Sequence, residues 1–368
     1  MTLTRTAAPS AVLESWLLDR PQLRTGPHAG GVLGGTGDDT ATAYAYPEIT
    51  GYYLTWLAFL ETTRDAPDTG AVEERRAAAV AWLAEQLAAP GGPRTRSFLG
   101  AGDGADWRNS ALFSFDLGMV YRGACATGTG GGPADGTAAH RLRERTGAAL
   151  DGLRDPDGAW AACVPLPGRA APPARWSTVP GPHLLKVAGG VLALTPADEM
   201  PSVRSAARAT LARHATGLAA DLPAMSHPAL YALEGLLQAE AGGHREHHGE
   251  LVAAYRLLSD RAADGVLREE HGRPGSQVRT DVLAQLLRIG CVLAGRDELD
   301  AAGAEQLDAV AAALVEHIGE DGGLPFTRAE SGSLHNTWCA MFAHQALAFH
   351  DRLTAGRAIP DSWIRLLV

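Results

Sequence analysis

The 368-residue chain has no lysine and arginine run along which a phosphate backbone could track, and its formal net charge is −10. Nucleic acid and an anionic membrane surface are therefore poor partners for it. It lacks any apolar stretch near the ~20 uninterrupted residues of a membrane-spanning helix. The opening residues MTLTRTAAPSAVLESWLLDRPQ have no long apolar core of the secretion-signal kind. A cytoplasmic protein without membrane insertion is expected. Cysteine is scarce: Cys125, Cys163, Cys291 and Cys339 are widely spaced and form no CxxC, the pattern of buried thiols in a reducing compartment. No HExxH, Walker A loop or GxSxG occurs, and GGVLGG follows no strand, so it is no dinucleotide fingerprint. The HREHH run (His244, His247, His248) lies in a glycine-bounded loop and reads as a solvated cluster, not a metal site. No metal and no cofactor is expected. β-Branched runs are few, which weighs against sheets.

What is abundant is alanine, leucine and glycine, within 46% hydrophobic residues and only 20% charged ones. Two kinds of helical segment alternate. SAVLESWLLDR, AVEERRAAAVAWLAEQLAA, GTAAHRLRERTGAALDGLR, SVRSAARATLARHATGLAA, HGELVAAYRLLSDRAA and AGAEQLDAVAAALVEHIGE carry charge on one face and belong outside. EITGYYLTWLAFL, SALFSFDLGMVYRGACA, PGPHLLKVAGGVLAL, SHPALYALEGLLQA, VRTDVLAQLLRIGCVLA and NTWCAMFAHQALAF are almost free of charge after their first turn, as buried helices are. Six hairpins in fixed order with so apolar an inner layer predict an all-α protein, an (α/α)6 barrel in which residues 1–368 form one domain. The Gly/Pro-rich pieces between helices, among them APGGPRTRSF, VPLPGRAAPPARW and DGGLPFTRAESGS, read as loops; ATGTGGGPADG reads as a plain connector.

Polar residues of the inner helices gather at their N-terminal ends: Glu48, Asp116, His183, His227, Arg279 with Asp281, and His335 with Asn336. In a barrel of parallel inner helices these ends share one rim, where helix dipoles point into a cavity. A single polar residue there is usually a cap, but caps favour Ser, Thr, Asn and Asp over His and Arg. Aromatic residues keep them company, including Tyr52, Tyr53, Trp160, Trp176 and Trp338. Flat rings beside carboxyls and imidazoles suit a polyhydroxylated ring with one face to stack. Trp56 and Trp82, by contrast, read as core.

Three chemistries fit this inventory. Glu48 with Asp116 would serve glycoside hydrolysis if the two flank the substrate. His183 and His227 would move a proton off and onto a sugar carbon, with Arg279 steadying an enolate or a carboxylate. In GTGDDTATAY, Asp38 and Asp39 are similar to the acid motif DxDDTA of class II terpene cyclases, although Thr36 stands where its first aspartate would be.

The series GGVLGG, YAYPEITGYYLTWL, SFDLGMVYRG, RWSTVPGPHLLK, MSHPALYALEGLL and DGGLPF resembles a family of six-hairpin toroid proteins found with genes for bacterial polysaccharide and sugar-conjugate biosynthesis. More distantly the layout is similar to N-acylglucosamine 2-epimerase-like and unsaturated glycuronyl hydrolase-like barrels. The resemblance implies a sugar-type ligand, a small molecule or oligosaccharide, at the rim of Glu48, Asp116, His183, His227 and Arg279. Histidines outnumber well-placed acids among the inner-helix starts, so an isomerase or epimerase is expected slightly ahead of a hydrolase. The alternatives are a terpenoid-type cyclase using Asp38 or Asp39 and a non-catalytic sugar-binding or scaffold protein.

Overall fold

The computed structural model describes residues 8–36, 43–63, 69–90, 92–100, 106–127, 133–262, 264–327 and 334–368. Asp38 and Asp39 lie outside them. The inner helices are α2 (Pro47–Thr63), α4 (Ser114–Thr127), α6 (Leu185–Leu194), α8 (Ser226–Ala241), α10 (Thr280–Ala294) and α12 (Thr337–Thr354). Each contacts its successor and α12 returns to α2, which closes a ring. Around it stand α1 (Pro9–Asp19), α3 (Thr69–Ala88), α5 (Pro133–Asp151), α7 (Pro201–Ala215), α9 (His248–Ser259) and α11 (Ala301–Val315). The expected (α/α)6 barrel is the fold. The stretch read as a connector is shorter than its glycines suggest, since α5 already begins at Pro133; proline is pre-organised for a first helical turn.

The inner helices sit unusually close in pairs because glycine lets backbones touch. A Cβ on Gly51 of α2 would lie 2.6 Å from the Met119 carbonyl of α4, and one on Gly235 of α8 would lie 2.1 Å from the Leu185 carbonyl oxygen of α6. Neither position has room for a side chain.

The rim departs from a purely helical reading. Three short antiparallel pairs occur among the described residues: β1 (Gly35–Thr36) with β6 (His335–Asn336), β2 (Tyr44–Ala45) with β3 (Ser97–Phe98), and β4 (Ala111–Phe113) with β5 (Cys163–Pro165). Single bridges Met225–Glu270 and Arg279–Thr327 repeat the arrangement before α8 and α10. Residues entering an inner helix are extended, and their backbone groups need partners once buried; a neighbouring loop supplies them. Sequence patterning missed these pairs because two or three residues are too few for a period-2 signal.

At the opposite end of the axis the segment after α13 (Asp361–Arg365) folds into the barrel, and Leu367 and Val368 are fully buried there. Their backbone oxygens accept from Arg122, Lys186 and Arg288, and Gln345 Nε2 donates to the Leu366 oxygen at 2.7 Å. Glu234 joins this cluster, paired with Arg288 and with Lys186 at 2.5 Å. Lys186 is the one lysine of the chain and has no exposed surface.

Candidate active site

A cavity of about 270 Å³ opens at the N-terminal ends of the inner helices. Glu48 and Ile49 from α2, Phe115 and Asp116 from α4, His227 and Tyr231 from α8, Arg279 before α10, and Trp338 of α12 form its walls. Tyr44, Tyr46, Arg96, Trp107, Arg108, Arg175 and Trp176, from the segments between the helices, complete the lining. Below, the Tyr52 and Tyr231 hydroxyls bond to each other at 3.1 Å, with Lys186 close beneath both rings. These rings divide the cavity from the ionic cluster at the base.

Helix α2 is well anchored where it meets the site. Pro47 opens it, and the Thr50 hydroxyl donates to the Tyr46 oxygen at 2.9 Å while accepting from the Val32 amide at 3.0 Å. Glu48 in the first turn is thereby held toward Asp116 of α4, and the two carboxyls hydrogen-bond to each other. Burial raises both, and the Glu48 charge pushes Asp116 well above the usual carboxylate range. Tyr46 supports Glu48 from the side as a hydrogen-bond donor. Two carboxyls in contact cannot both ionise in a poorly solvated site, so the pair shares one proton. Asp116 Oδ2 has no protein partner.

His227 is oriented by a chain of acceptors. Glu234 can only accept from Gln285 Nε2 (3.2 Å), so the Gln285 oxygen faces His227 Nδ1 at 2.7 Å. Asp281 Oδ2 lies 3.3 Å from the same nitrogen. Both neighbours of Nδ1 accept, so Nδ1 carries the proton and Nε2 keeps its lone pair. Burial brings His227 down to about 4, with Asp281 only partly opposing it, so the ring is neutral near pH 7. Asp281 is a hub. It takes a bidentate pair from Arg279 (3.0 and 2.7 Å) and a 3.3 Å bond from Trp338 Nε1. Burial would raise this carboxyl, but Arg279 and His227 outweigh it and hold Asp281 at about 2.

Of the residues singled out in the sequence, Glu48, Asp116, His227, Trp176, Arg279 and Trp338 come together on this cavity. Asp281 is fully buried behind it. Tyr52 is the floor. Tyr53 instead faces α1, donating to the Leu17 oxygen at 3.3 Å. Trp160 is sealed in the core beside α7, its amide bonded to Thr210 Oγ1 at 3.0 Å. His335 sits in β6, edge-on to Trp16, outside the lining. His183 is also outside the lining: it is buried behind Trp176, 5.3 Å between ring centroids, and burial brings it down to about 3. Of the two imidazoles only His227 reaches the cavity, and the Trp176 ring lies edge-on to both. Arg279 spends all three nitrogens on Asp281 and on Glu269 at 3.3 Å. Further guanidiniums on the cavity are Arg96, Arg108 and Arg175, which form no run in the sequence.

Elsewhere, His248 bonds to Glu240 and Glu298 and His244 faces Glu246. Among the described residues no group of His, Cys, Asp and Glu is arranged to hold a metal, and no helix is long and apolar enough to cross a membrane.

No family model and no curated protein matches the chain. Solved structures do. A sugar epimerase from a ruminal bacterium superposes with a TM-score of 0.71 at 12% identity over 95% of this chain and 100% of its own. An unsaturated glucuronyl hydrolase from Bacillus sp. GL1 gives 0.58 at 15%, over 95% and 94%. A type II terpene cyclase from Scytonema gives 0.58 at 16%, over 93% and 95%. The (α/α)6 toroid is the shared fold. At such identities the likeness extends to the fold and not to the reaction.

Proposed function

We propose that the protein is an acid–base enzyme acting on a carbohydrate, of the isomerase or epimerase type. The observation that carries this reading is the pairing, on one cavity, of a proton donor with a proton acceptor. The Glu48–Asp116 pair shares a proton, because two touching buried carboxyls do not both ionise, while His227 presents a bare Nε2. His227 takes the proton from the carbon beside the sugar carbonyl, and the carboxyl pair delivers one to the resulting enediolate. The imidazolium so formed is stabilised by Asp281 at Nδ1, and solvent exchange resets both groups. Trp176, Trp338 and Tyr231 give the ring flat surfaces. Two-carboxylate hydrolysis is less well supported, because it needs the carboxyls at least ~5 Å apart around the scissile bond, and here they touch.

A second reading, a terpenoid-type cyclase, is favoured by the nine aromatic residues among the nineteen that line the cavity. Such walls suit a carbocation. Incubation with aldoses in D2O separates the two. The first reading expects deuterium at the carbon beside the carbonyl, lost in Glu48→Gln and His227→Asn variants that still fold. Full exchange in both variants would sink it. Turnover of a polyprenyl substrate with no exchange into any aldose favours the second.

A further inference from the structure

Three guanidiniums line the cavity, and two of them share one carboxylate. Asp106 accepts from Arg96 at 3.3 Å and from Arg108 at 3.2 Å, and it also takes the Arg108 amide at 3.0 Å. Arg175 has no acidic partner among the described residues. Arg96 lies over Tyr44 (4.2 Å to the ring centroid), and Arg108 and Arg175 lie over Trp107 (4.6 and 5.6 Å). The rings fix the planes of the guanidiniums without neutralising them. Arg96 Nε is buried and unpartnered. Among the described residues, three positive charges face Asp106 and the one charge kept by the Glu48–Asp116 pair, a local excess of positive charge within a chain whose net charge is −10. The Arg279 guanidinium differs, since it is matched by Asp281 and Glu269.

We propose that Arg96, Arg108 and Arg175, set around Trp107, form a seat for an anionic group carried by the substrate, a carboxylate or a phosphate. The proposal rests on the sugar reading for the ring that carries the charge, and on the arginines alone for the charge itself. It makes the substrate an acidic sugar. A bound anion would also work on the acid pair, because Arg96 is one of the groups that lower Glu48 and Asp116. Neutralising Arg96 holds the shared proton more firmly where it is to be used.

Titration calorimetry with D-glucose, D-glucuronate, D-glucose 6-phosphate and 2-naphthoate tests this. One or both acidic sugars should bind about tenfold or more tightly than glucose, and whichever does identifies carboxylate or phosphate. The advantage should fall about tenfold in Arg108→Gln and in Arg175→Gln, whose side chains are partly exposed and whose melting temperatures should be unchanged. It should also shrink between 50 and 500 mM salt. Equal binding of glucose and both acidic sugars, or a preference that survives both substitutions, overturns the seat and leaves the sugar reading standing. Arginine-dependent binding of naphthoate with no binding of any sugar keeps the seat and overturns the sugar reading. No binding of any of the four at 10 mM overturns both.

Discussion

Two buried carboxyl sites lie along the barrel axis and end in opposite protonation states. At the base, burial alone would raise Glu234, but Arg288 and Lys186 outweigh it and hold the carboxylate below its usual range. At the rim, Asp116 meets a second carboxyl in Glu48 and is pushed well above that range. Depth does not distinguish them, since both lie on inner helices. Neighbours do: a group given matching charges becomes structure, while one given a like charge keeps a proton it can transfer. The Gln285 amide joins the two regions, bonded to Glu234 on one side and to His227 on the other.

This contrast breaks most sharply under mutation. Glu234→Leu strands Lys186 and Arg288 without their carboxylate and should cost about 3–5 kcal/mol in urea denaturation. Asp116→Asn should cost nothing in stability at pH 7, or stabilise slightly, because it removes a carboxyl that burial disfavours. If Asp116→Asn proves the more destabilising of the two, the contrast is wrong. The same Asp116→Asn variant should lose about 10²- to 10⁴-fold in turnover, measured on whichever aldose shows exchange.

Acid stability gives a next, smaller effect. Folded His227 sits at about 4 against 6.5 when free, so between those values the unfolded chain binds the extra proton. Its stability contribution is intact above pH 6.5 and is lost as pH falls toward 4, up to about 3 kcal/mol. Asp281 adds to the loss below 3.8, toward 2. Asp116 has the opposite sign: being raised, it stabilises fully below 3.8 and loses that contribution as pH climbs. His227→Gln should flatten the curve between pH 6.5 and 4, whereas Asp116→Asn should leave that part steeper. The smallest effect expected is from Gln285→Met, which keeps the fold but removes one acceptor at Nδ1. Activity should fall by up to about 10²-fold. The acid limb of the pH–rate profile should move lower, since the Gln285 bond raises His227; an unmoved limb would mean that Gln285 only fills space.

The barrel was legible because twelve helical segments of alternating charge leave few other ways to bury six apolar ones. The cavity was legible in outline because Glu48, Asp116, His227 and Arg279 recur at the same point of successive inner helices. What patterning does not carry is who stands next to whom. Nothing in the spacing of His183 and His227 reveals that one lines the cavity and the other is buried against Trp176. Nothing near Arg279 in sequence shows Glu269 taking up its remaining charge. Arg96, Arg108 and Arg175 sit in three loops that look unremarkable one at a time, and their meeting depends on the folded rim. Tyr53 and Trp160 were singled out for residue type alone, and burial placed both in ordinary core.

The fate of Lys186 has a practical reach. Because it is the chain's one lysine and is sealed between Glu234 and the Val368 oxygen, the folded protein offers amine-reactive reagents no side-chain target. Acylation of Lys186 must wait for the barrel to open. Its rate, followed by mass spectrometry, is therefore an internal clock for opening that needs no engineered label.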